Sequence, residues 1–415
     1  MSGTDPSSPA DSTDARSPAP APGARAPGTS ALQTSPAPGA RALRERLRER
    51  TVTLCALPSP SLRERTVVDR LRAELEGWGL TVREDAAALL GGEAGNLIAE
   101  LPGGRPERVM LNAHVDTVPP VPGEPLSPIV DGDIVRTNGR QILGADDKAG
   151  VAIVLELVDA LRAAPFEARP TLVAVFTVAE EIGLRGAHAL DVGALRADLG
   201  FVFDGEVPVG EVIAAAVYKE ALTITVRGRR AHAALEPEKG VHAIAAAAEV
   251  VRGFPLGMQP GGSVANLGSV AGGGASNVVP DEVLLEGEAR AFTRERLEEL
   301  LREIRLSAAA AVAPLGARAD VAHRRLYDGY DVPEDATPFA WLRAAAPAHG
   351  IEVVKVTSIG GSDTNVFNQQ GLPTVNVGVG MHDIHSVDEW IDVGDLARVA
   401  AWLRDALMVG GRDRA

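Results

Sequence analysis

The spacing of apolar residues predicts helices and strands that alternate along the first half of the chain. Apolar positions recur at helical intervals over 43–54 and 67–75, so two amphipathic helices are expected there. Continuously apolar runs follow; the predicted elements are strands at 96–101, 109–115, 171–178 and 199–203 and a helix at 149–163. Strands that are apolar on both faces and alternate with helices are typical of an α/β sheet with helices on both sides.

Beyond Pro208 the pattern changes to strands of alternating polarity, which indicates a second domain. Its predicted elements are strand 221–226, helix 242–251, strands 263–270 and 282–292, helix 294–313 and strand 319–324. This order is that of the split βαβ arrangement. After about Tyr330 the first pattern resumes, with a helix at 337–348, strands at 353–358 and 374–377 and a closing helix at 393–407. We therefore expect a first domain of residues 41–208 and 331–415, into which an α+β domain of residues 209–330 is inserted.

Residues 1–40 differ from the rest because they are nearly all Ala, Pro, Ser, Gly and Thr. Such a segment buries too little apolar surface to offset the entropy lost on ordering, so we predict a disordered tail. A partner-binding or regulatory arm is the alternative.

Composition narrows the class of protein further. The chain of 415 residues has a formal net charge of -15, which argues against a nucleic-acid partner because such binders need a basic surface. Cys55 is the only cysteine, so a disulfide within the chain or a cysteine-based zinc site is excluded and a reducing compartment is expected. No apolar stretch is typical of a signal peptide or a membrane span, so we expect a cytoplasmic protein without a membrane partner.

Histidine and carboxylate side chains follow four of the predicted strands, at the point where each strand ends. They are, in chain order, His114 with Asp116, the adjacent pair Glu180 and Glu181, Asp204, and His385 in the loop after 374–377. Open α/β sheets form their sites at the carboxyl ends of strands, so one site can collect these side chains. Asp146, in a turn-prone segment that leads into a helix, is a fifth contributor to the same crevice.

These side chains predict a metal centre. Histidine nitrogen and carboxylate oxygen without sulfur suit zinc, cobalt or manganese, and two ions about 3.5 to 4 Å apart need a bridging carboxylate, for which Asp146 is the candidate. A lone histidine is more often a structural residue, and Asp204 alone could cap a helix or turn. Glu180 and Glu181 are harder to explain in that way, because adjacent like charges after a buried strand repel unless a cation compensates them.

Nearly everything after the tail resembles the metallopeptidase family M20. The matching motifs, in the family's order, are His114-Val-Asp116, Gly144-Ala-Asp146-Asp147-Lys148, Glu180-Glu181, the strand ending at Asp204, and His385-Ser386 followed by Asp388-Glu389-Trp390. This ordered set is highly specific. Within the family, residues 176–187 and 360–367 are most similar to the peptidase T-like group.

The resemblance implies a zinc-peptidase-like α/β catalytic domain, with a mixed sheet covered by helices, and an inserted ferredoxin-like domain that serves as a lid and forms a homodimer. It also implies two divalent metal ions, with zinc expected and cobalt or manganese as alternatives, and a cis peptide between Asp146 and Asp147. In the implied ligand set one ion is held by His114 and Asp204, the other by Glu181 and His385, and Asp146 bridges them.

Catalytic roles follow from the same resemblance. Glu180 is expected to act as general base on water activated by the two metals, and then to deliver the proton to the leaving amine. Asp116 is expected to orient the imidazole of His114, although a simple turn residue at a strand end is the alternative. His232, in the segment 229–240, matches a histidine that reaches the active site of the partner subunit and stabilises the oxyanion.

Substrate-binding residues are implied in two places. Asn277 and Arg290 match residues that bind the substrate, and arginine suits a carboxylate, with a turn residue and a surface strand residue as the respective alternatives. Gly361 and Ser362 match a loop at the substrate pocket, although glycine pairs also mark ordinary turns.

The expected function is metal-dependent hydrolysis of the amide bond in a small peptide, such as a di- or tripeptide. The segment around His232 departs from peptidase T and is similar to other branches, so hydrolysis of an N-acyl amino acid is the alternative within the family. A non-catalytic metal-binding protein is the alternative from another class. The presence of Glu180 beside a full ligand set argues against it, because binding alone does not need a base.

Overall fold

The structure is a computed structural model and describes residues 38–411. The α-helices of this part of the chain are α1 (Pro38–Cys55), α2 (Arg65–Gly77), α3 (Ala145–Arg162), α4 (Arg185–Ala189), α5 (Val192–Leu195), α6 (Ala243–Gly253), α7 (Arg294–Val312), α8 (Thr337–Ala345), α9 (Asp363–Gln369) and α10 (Val393–Val409). Residues 38–40, which composition assigns to the tail, belong to the first turn of α1. The rest of the predicted tail lies outside the described residues. None of the described helices is long and apolar enough to cross a membrane.

The strands between these helices form two larger and two smaller sheets within the described residues. In chain order they are β1 (Thr81–Glu84), β2 (Leu97–Leu101), β3 (Arg108–His114), β4 (Ile129–Asp131), β5 (Ile134–Arg136), β6 (Thr171–Thr177), β7 (Leu199–Gly205), β8 (Glu211–Ala216), β9 (Tyr218–Arg227), β10 (Ala231–His232), β11 (Gly257–Gln259), β12 (Ser263–Gly272), β13 (Val278–Val279), β14 (Glu282–Ala291), β15 (Arg318–Tyr327), β16 (Tyr330–Asp331), β17 (Val354–Ser358), β18 (Thr374–Gly378), β19 (Met381–His382) and β20 (Trp390–Asp392). The predicted strands and helices are all present, with ends shifted by a few residues.

The large sheet is mixed, as predicted. Its strand order is β1-β2-β6-β3-β7-β18-β8-β16, and β17 also pairs with β8. The centre is parallel, because β3 runs parallel to both β6 and β7 and β18 runs parallel to β7. Towards the two edges, β2 and β8 pair antiparallel with β6 and β18.

Helices cover both faces of this sheet. Successive residues of β3 enter different cores: Leu111 packs in a cluster that includes residues of α1, α3, α8 and α10, and Met110 in one with residues of α4, α5 and α9. Side chains of a strand point alternately to the two faces, so a strand covered on both sides must be apolar nearly throughout. The fold therefore explains the continuous apolar runs of the central strands.

The second sheet has the order β11-β12-β14-β9-β15, with antiparallel pairing throughout. Helices α6 and α7 cover one face, where Leu222 and Ile224 of β9 pack with Leu297 and Leu300 of α7. In chain order β9, α6, β12, β14, α7 and β15 form the split βαβ arrangement, so the ferredoxin-like prediction is confirmed. We call residues 218–327 the inserted unit.

Strand pairing extends the large sheet beyond the boundary predicted at Pro208. β8 pairs with β17 and β18, and β16 pairs with β8, so residues 211–216 belong to the large sheet. The run at 212–216 is apolar and mostly buried, whereas half-buried and buried residues alternate in β9 from Lys219 to Val226. The change in polarity pattern that marks the inserted unit therefore falls after Ala216.

Candidate metal centre and substrate cleft

The parallel centre of the large sheet brings the predicted ligands to one edge. His114 is the last residue of β3 and Asp204 is the last but one of β7. Glu181 lies in the loop after β6, and His385 lies between β19 and β20, beyond the end of β18. Asp146 joins them from the start of α3, where its backbone is not helical. All five side chains line one cavity of about 450 Å³, which we call the cleft.

Asp146 lies between two groups of ligands. Its Oδ1 atom is 3.1 Å from Nε2 of His114, and its Oδ2 atom is 2.9 Å from Nε2 of His385. Oδ1 of Asp204 is 3.8 Å from Nε2 of His114. The carboxylate of Glu181 is 3.0 Å from Nε2 of His385. The two oxygens of Asp146 thus face different histidines, which is the arrangement a bridging carboxylate requires. The cis peptide predicted between Asp146 and Asp147 is present.

The charge of this cluster fits divalent cations. Burial raises the pKa of Asp204, and the carboxylate of Asp146 raises it further. Contacts with the carboxylates of Asp146 and Glu181 raise the pKa of His385 to about 10, which reflects the negative field in the cleft. So many buried carboxylates are costly unless cations compensate them, and nitrogen and oxygen donors without sulfur suit zinc or a similar ion. The residues present therefore fit two divalent ions.

Glu180 lines the cleft without joining the ligand groups. Ligand atoms of the described residues come within 4.8 Å of one another in two sets, His114 with Asp146 and Glu181, and His114 with Asp147 and Asp204; Glu180 and His385 are in neither. His385 nevertheless contacts the carboxylates of Asp146 and Glu181 at 2.9 and 3.0 Å, whereas Glu180 forms no ion pair with either histidine. Its side chain is buried, and burial raises the pKa of its carboxyl group well above the ordinary value. A buried carboxylate beside the ligands and free of them is suited to hold a proton during the reaction.

Asp116 contacts His114 in a way that the sequence did not predict. The nearer partner of Nδ1 of His114 is the backbone carbonyl of Asp116, at 3.0 Å, while the carboxylate oxygen lies at 3.4 Å. The carboxylate of Asp116 instead accepts hydrogen bonds from the backbone N–H groups of Glu180 and Glu181, at 2.9 and 3.2 Å. Asp116 therefore links the loop that carries the base to the strand that carries His114.

Two buried carboxylates that sequence reasoning left without a role anchor the loop of Asp146. Glu389 accepts backbone N–H groups from Leu143 and Gly144, each at 2.8 Å, and from Asp146 at 3.0 Å. Asp147 accepts the backbone N–H groups of His114 and Gly150. Both residues belong to the motifs that resemble those of family M20. This resemblance is the only signal in the sequence that they support the site.

Arg290 reaches the cleft from the inserted unit. Its guanidinium donates to the backbone carbonyl of Ile359 and to the carboxylate of Glu288, both at 2.8 Å. Lys219, its partner in the register of β9 and β14, contacts the same carboxylate at 2.9 Å. Arg290 and Lys219 both line the cleft, so its inserted-unit side is positive while its sheet side is negative.

Gly361 and Ser362 also line the cleft, and each has a structural reason to be there. A Cβ atom on Gly361 would lie 2.1 Å from Cζ of Tyr327, so only glycine lets the tyrosine ring pack against this loop. Ser362 is the N-cap of α9 and forms a capping box with Asn365, which fixes the direction of the loop.

His232 and Asn277 lie together but outside the cleft. His232 belongs to β10, which pairs with β13, and the carbonyl of Asn277 accepts the N–H of Ala233 at 2.9 Å. Both side chains are exposed, and the residues that line the cleft within the described chain include neither. Nδ1 of His232 accepts two backbone N–H groups, from Ala234 and Leu235, which leaves Nε2 as the donor of the neutral ring.

An α/β sheet that gathers these ligands at one edge, with an inserted α+β unit that contributes Arg290 to the same cleft, defines a hydrolase of the metallopeptidase class. The chain belongs to the peptidase family M20/M25/M40, whose sequence model matches residues 110–409, and within it to the peptidase T-like group.

Three similar proteins cover most of the chain. The uncharacterized protein YqjE of Bacillus subtilis (strain 168) is 35% identical over 358 residues, which are 86% of this chain and 96% of that protein. The aminopeptidase PepT from Bacillus cereus ATCC 10987 is 34% identical with a TM-score of 0.78, over 88% of this chain and 98% of that one. A tripeptidase from Staphylococcus aureus is 31% identical with a TM-score of 0.81 over the same shares.

Proposed function

We propose that this protein hydrolyses the amide bond of a small peptide by a mechanism that depends on two divalent metal ions. The observation that carries the proposal is the position of Glu180, a buried carboxylate that lines the cleft beside all five predicted ligands and forms no ion pair with His114 or His385. A protein that only bound metal would have no use for such a group.

The ligands would be divided as the sequence motifs imply. His114 and Asp204 would hold one ion, Glu181 and His385 the other, and Asp146 both; zinc is the proposed ion, with cobalt and manganese as alternatives. When bound, such ions polarise the carbonyl of an amide and lower the pKa of water to about 7.

The residues of the chain supply the proton transfers. Glu180 accepts a proton from the attacking water, whose oxygen bonds to the carbonyl carbon, and donates it to the nitrogen when the C–N bond breaks. The second proton of the water passes from the new carboxyl group to the amine, so the products are a carboxylate and an ammonium group. Burial of Glu180 raises its pKa, which suits a group that must both take and release this proton.

The cleft supports a short peptide as the substrate. Its volume of about 450 Å³ lies in the range of about 300 to 1,000 Å³ that is usual for sites of small ligands. We assign the substrate carboxylate to Arg290, because a guanidinium binds a carboxylate through two parallel hydrogen bonds. The names of two similar proteins, an aminopeptidase and a tripeptidase, favour a free amino terminus and three residues.

Metal-dependent turnover of defined substrates tests this proposal. We expect the protein, loaded with zinc, cobalt or manganese, to release an amino acid from di- or tripeptides, with amidation of the peptide's C-terminus raising KM because Arg290 loses its partner. A matched panel of N-acetyl amino acids tests the alternative: faster turnover of these than of any peptide would make the protein a deacylase. No metal-dependent hydrolysis of either class would leave only a metal-binding role.

We further propose a homodimer formed through the inserted unit. The edge of β12 is covered by β11 only over residues 263–265, so within the described residues 266–272 have a free edge. Val270 on this edge is 70% exposed. A free strand edge with an exposed apolar residue is suited to pair with the same edge of a second copy around a twofold axis.

The dimer would bring His232 to the cleft of the partner subunit, where its Nε2 could donate to the oxyanion. Co-expression of Glu180→Gln with His232→Ala should then restore about a quarter of wild-type activity, because half of the dimers are mixed and each has one intact site. Each variant alone should be inactive. As a control, Glu180→Gln co-expressed with the Glu180→Gln, His232→Ala double variant should stay inactive. Equal activity in the two mixtures would contradict a role of His232 across subunits.

A further inference from the structure

Four successive backbone N–H groups after β6 are held by buried side chains. The N–H of Val178 donates to Oδ1 of Asn96 at 3.1 Å, and the N–H of Ala179 donates to Oε1 of Glu64 at 3.1 Å. The next two, of Glu180 and Glu181, go to the carboxylate of Asp116. The segment that carries the base is therefore fixed residue by residue from three other parts of the chain.

The hydrogen bond that Glu64 accepts from Ala179 fixes the backbone of Ala179 in a conformation that alanine rarely adopts. Ala179 has a φ of 54°, in the left-handed region that side chains disfavour. The same Oε1 atom accepts the N–H of Leu62 at 2.7 Å, and Leu62 is also left-handed, with a φ of 72°. A left-handed residue directly before Glu180 decides where its side chain points, so the acceptor that stabilises this conformation affects the base.

The local hydrogen bond of Glu64, from the N–H of Leu62, does not require a charged carboxylate, because a neutral oxygen could accept it too. It occupies the N-cap position of α2, but its side chain makes no capping hydrogen bond. It is fully buried, and its Oε2 atom has no hydrogen-bond partner among the described residues. Burial raises the pKa of Glu64 to about 7. Burying such a group without a cationic partner is costly, so a gain elsewhere is needed to explain it.

We propose that Glu64 is a positioning residue of the active site, which acts through the backbone of Ala179 to aim the carboxylate of Glu180 into the cleft. This inference rests on the proposed function, in which Glu180 is the general base. Asn96 supports the same segment one residue earlier, at Val178.

Three substitutions of Glu64 test this role. Glu64→Leu removes the acceptor and should lower kcat by about 100-fold, the loss expected from a 1 Å misplacement of a reacting group, with KM and metal content unchanged. Glu64→Gln keeps the accepting oxygen and should stay within about 3-fold of wild type. Glu64→Asp keeps the charge but withdraws the oxygen by about 1.5 Å, the length of one C–C bond, and should lose about 10-fold. If Glu64→Leu does not fold, the loss of kcat in Glu64→Asp still tests the proposal.

A buried carboxylate elsewhere provides the matched control. Glu156 on α3 is 3% exposed and pairs with Arg46 at 2.5 Å, away from the cleft. Glu156→Leu should lower the Tm without lowering kcat, which separates positioning from general loss of stability. Wild-type kcat in both Glu64→Leu and Glu64→Asp, or equal losses in Glu64→Leu and Glu64→Gln, would overturn the proposal.

Amide hydrogen exchange of the metal-free protein gives a readout independent of turnover. A peptide that spans 178–181 should exchange slowly in wild type and in Glu64→Gln, and about 10-fold faster or more in Glu64→Leu and Glu64→Asp. If exchange of this peptide is as slow in Glu64→Leu and Glu64→Asp as in wild type, the role of Glu64 is overturned even if the enzyme is active. An inactive wild type with the expected exchange pattern would instead overturn the proposed function and retain the contact.

Discussion

Replacing Glu180 by glutamine is expected to lower kcat by about 10² to 10⁴-fold, the usual contribution of a general acid or base, and to leave metal content and KM nearly unchanged. Glutamine has the shape of glutamate but cannot accept the proton of the attacking water. Because the carboxylate of Glu180 forms no ion pair with His114 or His385, its loss should not weaken metal binding.

The adjacent residue provides the matched control for this substitution. Glu181 contacts His385 at 3.0 Å and is assigned to one ion, so Glu181→Gln should lower metal affinity as well as activity. Steady-state kinetics on a tripeptide, together with metal analysis after dialysis, distinguish the two variants. A Glu180→Gln protein with more than a tenth of wild-type kcat, or one that loses its metal, would remove Glu180 from its role as base.

The sequence could predict which of the proposed ligands meet at one edge, because burial and strand direction leave few choices. Strands covered on both faces are apolar nearly throughout, so the titratable side chains at the carboxyl ends of β3 and β7, His114 and Asp204, mark the edge of the sheet. Parallel strands bring those ends together without any knowledge of side-chain packing. The order of strands and helices in the inserted unit was predictable from the polarity pattern, whereas the mixed character of the large sheet was expected only from the resemblance to the family.

The supports of the site could not be predicted because they join distant parts of the chain. Glu64 is 115 residues from Ala179, and Glu389 is 243 residues from Asp146. Nothing local to either glutamate shows which backbone groups it will meet, since that depends on how several helices pack on the sheet. The boundary predicted at Pro208 differs from the strand pairing for a related reason: β8 joins the large sheet through β18, which comes much later in sequence.

The proposed site is formed by three parts: the large sheet, the inserted unit of the same chain, and a second copy of the chain. The large sheet supplies the predicted ligands and Glu180, and the inserted unit of the same chain supplies Arg290. His232 and Asn277 are exposed on the small β10–β13 sheet, away from the cleft. His232, matched to oxyanion stabilisation, and Asn277, matched to substrate binding, lie together outside the cleft, which supports the proposal that a second copy completes it.

Replacing Asp146 by alanine is expected to remove both metal ions and to lower activity by on the order of 10³-fold or more, because several kcal/mol of electrostatic stabilisation would be lost. Its two oxygens face two different histidines, at 3.1 and 2.9 Å, so neither ion would keep its full ligand set. Metal analysis after dialysis should give about two ions per chain for wild type and far fewer for Asp146→Ala.

Replacing His385 tests whether Asp146 is truly shared. The side chain of His385 is 46% exposed, so His385→Ala should fold normally. This variant should lose mainly the ion assigned to Glu181 and His385. The ion assigned to His114 and Asp204 should remain, because His114 is buried and its ring is held by the backbone carbonyl of Asp116. Asp146→Ala and His385→Ala should therefore differ by about one ion per chain under the same dialysis. About one ion per chain in Asp146→Ala as well as in His385→Ala would mean that Asp146 serves one ion only, and the centre would then lack its bridge.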